Sequence, residues 1–305
     1  MLPAFPPTYQ TIDLPEIKEY GVQLTLKRLD KIHPEISGNK WYKLKYNIGE
    51  AVRLGHRQLL TFGGAYSNHI AATAAAAKLT GLKSIGIIRG EEHLPLNPSL
   101  DYARQSGMEL HYLSRSDYRE KTSPVILHRL REGFGDYYMI PEGGTNALAI
   151  KGAMEILQGE DFTYDLVCTS IGTGGTMAGL LASAKASQKI MGFSSLKGEF
   201  IHQEIKDLLQ QYAIDRVCAY EVISEYHFGG YAKFRPDLIQ FMGQFAKDKG
   251  IPLDPIYTGK LMFGLMDMLK NGRIPEGTKI LALHTGGLQG IRGFNLRNGT
   301  QLLER

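Results

Sequence analysis

The stretch that decides the fold is QLLTFGGAYSNHIAATAAAAKLTGLKSIGII, residues 58–88. It opens with an apolar run, QLLTF, closed by Gly63 and Gly64, which is the pattern of a buried strand. Ser67 or Asn68 then supplies an N-cap. Residues 71–77 follow as an almost pure alanine tract, so helix propensity is high and neighbouring backbones can approach closely. Residues 84–88 (SIGII) read as a second strand. Strand, helix and strand at this spacing predict a right-handed parallel βαβ unit.

Upstream, residues 22–29 (VQLTLKRL) alternate like an early strand. Residues 35–40 (EISGNK) are polar and irregular, and residues 43–53 show helical apolar spacing. Downstream, the alternation continues through residues 102–106, 109–113, 124–132 and 137–140, giving an α/β fold class. Beyond it, glycine-rich turns close apolar strands at PEGGTN (141–146), SIGTGGT (170–176) and HTGG (284–287). Open parallel sheets bind ligands beyond the carboxyl ends of their strands, so the three turns point at one crevice. A chain of 305 residues exceeds what one core usually fills, roughly 250 to 300 residues, so two lobes flanking a cleft are expected. The expected division is residues 1–42 with 146–305 as the larger lobe and residues 43–145 as the smaller. Each is read as an open twisted parallel sheet with helices on both faces.

Composition narrows the function. With 43% hydrophobic and 22% charged residues, neither disorder nor a coiled coil is expected. The net charge of +4 is spread along the chain without a basic stripe, so no nucleic-acid partner is expected. The first residues, MLPAFPPTY, lack a charged region before an apolar core, and no run of about 18 apolar residues occurs, so neither secretion nor membrane insertion is expected. Cys168 and Cys218 sit in apolar runs and read as buried free thiols, which suits a cytoplasmic location. Scattered histidines offer no metal site.

The segment VCTSIGTGGTMAGL (167–180) ends a strand, turns on glycines and hydroxyls, and starts a helix. Such a loop presents backbone N–H groups and a helix N-terminus to an anion, and a phosphate is the natural guest. The alternative is a tight turn where only glycine fits. The spacing of Gly172, Gly174 and Gly175 misses the dinucleotide pattern G-x-G-x-x-G, and residues 187–197 offer no acidic residue for a ribose, which argues against a nucleotide-dependent oxidoreductase. Lys40, in SGNK just before an amphipathic helix, is placed where a lysine can be desolvated and attack an aldehyde; Lys43 and Lys45 compete by position. In AYSNHI, the N–H groups of Ser67, Asn68 and His69 are placed to grip a carboxylate, or Ser67 simply caps the helix. Tyr231 and Tyr257 stand in glycine-flanked polar contexts.

In order along the chain, SGNK-x-x-KL (37–44), GGAYSNH (63–69), PEGGTN, GTGGT-x-AGL (172–180), LDPIYTGK (253–260) and HTGG resemble a family dependent on pyridoxal 5'-phosphate (PLP). It contains 1-aminocyclopropane-1-carboxylate (ACC) deaminase and D-cysteine desulfhydrase, a branch of the tryptophan synthase β-like fold. The resemblance implies PLP as cofactor, a small amino acid as substrate and a homodimer. It implies that Lys40 holds PLP covalently and later shuttles a substrate proton, and that Asn68 lies near the 3'-oxygen of PLP. Backbone amides of Gly172, Thr173, Gly174, Gly175 and Thr176 would hold the phosphate. Ser67, Asn68 and His69 would bind the substrate carboxylate, and Tyr231 and Tyr257 would flank the substrate, with hydroxyls for proton transfer. Thr258 or Thr285 would face the pyridine nitrogen.

Those threonines also bear on substrate. ACC deaminases typically carry Glu after the second tyrosine and Leu before the GG of the last motif; this chain has Thr258 and Thr285, as D-cysteine desulfhydrases do. The resemblance therefore implies conversion of D-cysteine to pyruvate, sulfide and ammonia. The alternatives are ACC deamination to 2-oxobutanoate and ammonia, with Ser67 or Tyr257 helping to open the ring, or a PLP-binding homologue without turnover. The chain departs from the family in SGNKWYK and in AKFRP after Tyr231, so a reshaped substrate loop is expected.

Overall fold

The computed structural model describes residues 2–304. The chain runs through β1 (Thr8–Thr11), α1 (Pro15–Glu19), β2 (Gln23–Arg28), α2 (Asn39–Arg53), β3 (Gln58–Gly63), α3 (Asn68–Thr80), β4 (Lys83–Arg89) and α4 (Pro98–Gln105). It continues through β5 (Met108–Leu113), α5 (Arg115–Arg119), α6 (Pro124–Phe134), β6 (Tyr138–Ile140), α7 (Ala147–Ala153), β7 (Leu166–Ile171), α8 (Gly175–Ser183) and β8 (Lys189–Ser194). The last elements are α9 (Phe200–Gln211), β9 (Ala219–Ile223), α10 (Pro236–Lys249), α11 (Thr258–Lys270), β10 (Lys279–His284) and α12 (Ile291–Asn298).

These strands make two open sheets. A four-stranded parallel sheet has the order β5-β4-β3-β6, and a six-stranded sheet has the order β1-β2-β10-β7-β8-β9. Within the larger sheet only the edge strand β1 runs antiparallel. The decisive βαβ unit is present: β3 pairs with β4 in parallel, Leu59 beside Ser84 and Thr61 beside Gly86. Ala71–Ala77 of α3 are all buried, which only a tract of small side chains tolerates between a sheet and neighbouring helices. Ser67 caps this helix at its start, and Gly81, at φ 70°, closes it in the left-handed conformation that glycine adopts freely.

Alternating residues of the large sheet feed two cores. Leu166, Cys168, Ile280 and Ala282 join one cluster with Leu261 and Leu265 of α11, while Val167, Ile171, Leu281 and Leu283 join another with Met177 and Leu180 of α8. Helices therefore cover both faces, as near-continuous apolar parallel strands require. Lys27 of β2 is buried too, its ammonium donating to Asp161 and to the Ile156 carbonyl at 2.6 Å.

Residues 102–105 close α4, a helix as the alternation predicts, and one local expectation differs. Helix α2 starts at Asn39, four residues before the amphipathic pattern becomes visible at Lys43, so Lys40 stands in its first turn rather than in an irregular stretch. The cause is Gly38, whose φ of 71° turns the chain into the helix while its N–H donates to the Leu29 carbonyl and the Asn39 N–H to the Thr285 carbonyl. Cys218 lies just ahead of β9, and both cysteines are buried free thiols. Among the described residues no helix is long and apolar enough to cross a membrane, and no cluster of His, Cys, Asp and Glu has the makings of a metal site.

A Cβ on Gly38 would sit 1.9 Å from the Thr285 carbonyl oxygen, in a backbone conformation that L-residues avoid. Gly38→Ala is expected to destabilise the fold by about 2 kcal/mol or more, read as a lower denaturation midpoint, whereas Gly49→Ala, in open space, leaves it within about 1 kcal/mol of the parent.

Candidate active site

The glycine-rich turns and the start of α2 converge at the carboxyl ends of the strands. Lys40 Nζ donates to its neighbour Asn39 Oδ1 at 3.1 Å, and Asn39 Nδ2 in turn donates to Thr176 Oγ1 at 2.8 Å, tying α2 to the first turn of α8. Burial pushes the Lys40 ammonium down to about 8, partly opposed by the Asp254 carboxylate. Lys43 lies one turn further along. Its Nζ donates to Thr145 Oγ1 at 2.9 Å and reaches Thr173 Oγ1 at 3.4 Å, and those hydroxyls lie 2.6 Å apart. Burial, followed by repulsion from Lys40, holds its proton affinity well below that of an ordinary lysine. Among the described residues no carboxylate pairs with either ammonium.

The loop of residues 172–176 faces these lysines. A Cβ on Gly175 would lie 3.1 Å from Lys43 Nζ and 2.8 Å from Thr145 Oγ1, and one on Gly172 would lie 3.2 Å from the Tyr257 hydroxyl. Glycine thus keeps open a space bounded by hydroxyls, an ammonium and the N-terminus of α8, whose first N–H groups have no acceptor within the helix. On the small-sheet side, Ser67 Oγ accepts from the His69 N–H at 3.2 Å and the Ile70 N–H at 3.3 Å, and the Ser67 N–H itself donates to the Gly64 carbonyl. Of the three N–H groups expected to grip a carboxylate, only that of Asn68 has no such internal partner.

The His69 ring turns inward. Thr61 donates its hydroxyl proton to the Ile140 carbonyl and so accepts from His69 Nε2 at 2.8 Å, leaving Nδ1, beside Gly144, without a hydrogen-bond partner among the described residues. Burial and the two lysine charges keep this imidazole neutral, its proton affinity far below the usual range.

The remaining wall comes from α11 and the last turn. Tyr231 and Tyr257 meet edge to face with ring centroids 6.3 Å apart. Tyr231 leaves 42% of its surface exposed, but its hydroxyl lies inside against Tyr257; burial pushes it up to about 12 and pushes Tyr257 further still. Both phenols therefore stay protonated near neutrality. Asp254, absent from the sequence expectations, is fully buried: its oxygens accept from the N–H groups of Ile256, Tyr257 and Thr258 and from the Thr258 hydroxyl, all between 2.8 and 3.0 Å. The Thr258 oxygen also accepts from the Asp254 N–H at 2.8 Å. Its hydroxyl is thus committed to Asp254, whereas Thr285 Oγ1 pairs, among the described residues, only with Ser170 Oγ, at 3.0 Å, across the ends of β10 and β7.

With this geometry in view, the family model for "Pyridoxal-phosphate dependent enzyme" matches residues 7–286. The chain belongs to that family. A putative ACC deaminase of Pyrococcus horikoshii is 33% identical over 291 residues, covering 91% of this chain and 88% of that protein. The bifunctional D-cysteine desulfhydrase/ACC deaminase of Arabidopsis thaliana is 32% identical over 298 residues, covering 89% of this chain and 74% of that protein. The solved structure of an ACC deaminase homologue superposes with a TM-score of 0.82 at 28% identity, covering 97% of this chain and 94% of that one. The fold is that of the tryptophan synthase β-like PLP enzymes, two open-sheet α/β domains without barrel closure.

PLP fits what the cleft lacks. Lys43 is a buried amine whose side-chain partners among the described residues are neutral hydroxyls and whose charged form a phosphate would stabilise, and Lys40 is an amine of lowered proton affinity facing the same space. Lys43 was legible only as a competitor of Lys40; its spacing of one helical turn is the signal that links them. Lys43→Met is expected to weaken PLP binding by about 10- to 100-fold, the loss of one charge-assisted contact, measured by titrating the apoprotein. Because the neutral amine is the nucleophile, the rate of covalent PLP capture should rise with pH through about 8 and then level off, rather than climbing toward the 10.5 of a free lysine.

Proposed function

We propose that this PLP-dependent enzyme is a lyase of the D-cysteine desulfhydrase type. D-cysteine and water would yield pyruvate, sulfide and ammonia. Bound PLP supplies the electron sink for a bond broken at the substrate α-carbon. In this reading Lys40 carries the cofactor and then takes the α-proton, a role supported by a desolvated ammonium that lacks an ion pair. Lys43, Thr173, Thr145 and the amides of residues 172–176 hold the phosphate. The Asn68 side chain faces the 3'-oxygen, and Thr285, with Ser170 behind it, faces the pyridine nitrogen; Thr258 is set aside because its hydroxyl is already used by Asp254.

The substrate carboxylate goes to the N-terminus of α3, where the Asn68 N–H is open and the long bonds from His69 and Ile70 to Ser67 Oγ leave that hydroxyl free to turn. Tyr231 and Tyr257 act as neutral hydroxyl donors on the departing group rather than as bases, because both stay protonated. The division into residues 1–42 with 146–305 and residues 43–145 places the cleft between the two sheets.

The observation that carries the substrate choice is Lys40: a lysine poised to take an α-proton serves D-cysteine, which has one, whereas ACC carries carbon-bound hydrogens only on its two ring methylenes. Thr258, where ACC deaminases typically carry a carboxylate, supports the same choice. ACC is the second reading, favoured by the printed names of the relatives.

The test supplies PLP-loaded protein with D-cysteine and with ACC in turn and follows 2-oxo acid release against Lys40→Ala. Pyruvate from D-cysteine with little 2-oxobutanoate from ACC is the expected result, with at least about a thousandfold loss in the variant. Turnover of ACC alone would overturn the substrate choice, and silence with both would overturn the assignment to this pair of reactions.

A further inference from the structure

An asparagine amide has a donor end and an acceptor end, and which one faces an anionic oxygen decides between attraction and repulsion. At Asn68 that choice is made by a residue far away in sequence. Gln289 Nε2 donates to Asn68 Oδ1 at 3.0 Å across a separation of 221 residues, joining the first residue of α3 to the turn behind HTGG. This is the only hydrogen bond the Gln289 side chain makes among the described residues, and Asn68 Nδ2 makes none. Nδ2 lies against Gly287, where a Cβ would come within 2.8 Å of it, and a Cβ on Gly290 would lie 3.5 Å from Oδ1. The Asp254 carboxylate beside Gly287 cannot capture Nδ2 instead, because its oxygens are filled by the N–H groups and hydroxyl of its own loop.

We propose that Gln289 is a positioning residue: by occupying the acceptor end of the Asn68 amide, it fixes Nδ2 as the donor presented to the 3'-oxygen of PLP. The inference rests on the placement of Asn68 proposed above. It adds a residue outside every motif that suggested the family, and it couples the small-sheet side of the cleft to the turn that carries Thr285. Without the bond, the amide is free to turn over and offer Oδ1.

The test is spectroscopic and needs no substrate. A donor at the 3'-oxygen favours the form of lysine-bound PLP in which that oxygen is ionised, which absorbs in the visible; without it more of the cofactor keeps the proton on the oxygen and absorbs in the near ultraviolet. Gln289→Met keeps the length of the side chain and removes the donor. In PLP-loaded protein at fixed pH, the visible to near-ultraviolet ratio should fall by about 2- to 10-fold, the range for one hydrogen bond. Asn68→Ala should lower it at least as much, and Gln289→Met should add nothing in the Asn68→Ala background, the signature of a residue acting only through another.

A parental spectrum in Gln289→Met beside a changed one in Asn68→Ala would overturn the positioning role, as would additive effects. No change in either variant would overturn it together with the placement of Asn68. A wild-type protein that develops no visible band with PLP would instead overturn the cofactor assignment to Lys40.

Discussion

Two lysines one helical turn apart on α2, Lys43 buried and Lys40 half-buried, are the constraint around which this molecule is arranged. Lys40 and Lys43 repel each other, and among the described residues neither forms an ion pair with a carboxylate, although Asp254 partly offsets the charge at Lys40. Two like charges out of water are costly unless anions answer them or the protons leave. The protein relieves part of this by lowering both proton affinities. In the reading proposed above, PLP would answer the rest, its phosphate beside Lys43 and its aldehyde at Lys40.

Holding that helix in place requires interlocking backbones. Gly38 lies so close to the Thr285 carbonyl that a single methyl group would collide with it, and the Asn39 N–H closes the contact. Lys40, proposed to carry the cofactor, and the Thr285 turn, proposed to face its ring, are therefore held together by backbone contact although they lie far apart in sequence. Asn39 to Thr176 ties the start of α2 to the loop of residues 172–176, and Thr145 to Thr173 ties the same loop to the turn after β6. Binding elements from both sheets are thus preorganised by hydrogen bonds that need no ligand.

Much of this was legible in the sequence because it is local. The strand, alanine helix and strand of residues 58–88 announce themselves by periodicity, and the glycine turns by composition. The start of α2 was not, because its first turn is set by Gly38 against a distant carbonyl and carries no apolar pattern of its own. The two threonines looked equivalent by motif; only the hydrogen bonds of Asp254 show that the Thr258 hydroxyl is already paired. Asp254 itself was hidden because a buried carboxylate satisfied by its own loop reads in sequence like any turn aspartate. Gln289 and Ser170 matter through partners more than a hundred residues away, which no spacing rule reaches.

The central claim is that Lys40, and not its buried neighbour, takes the aldehyde. Borohydride reduction of the PLP-loaded protein, followed by proteolysis and mass mapping, tests it directly. A pyridoxyl phosphate adduct on the peptide carrying Lys40, with Lys43 unmodified, is the predicted result; an adduct on Lys43, or none on either lysine, would contradict the account.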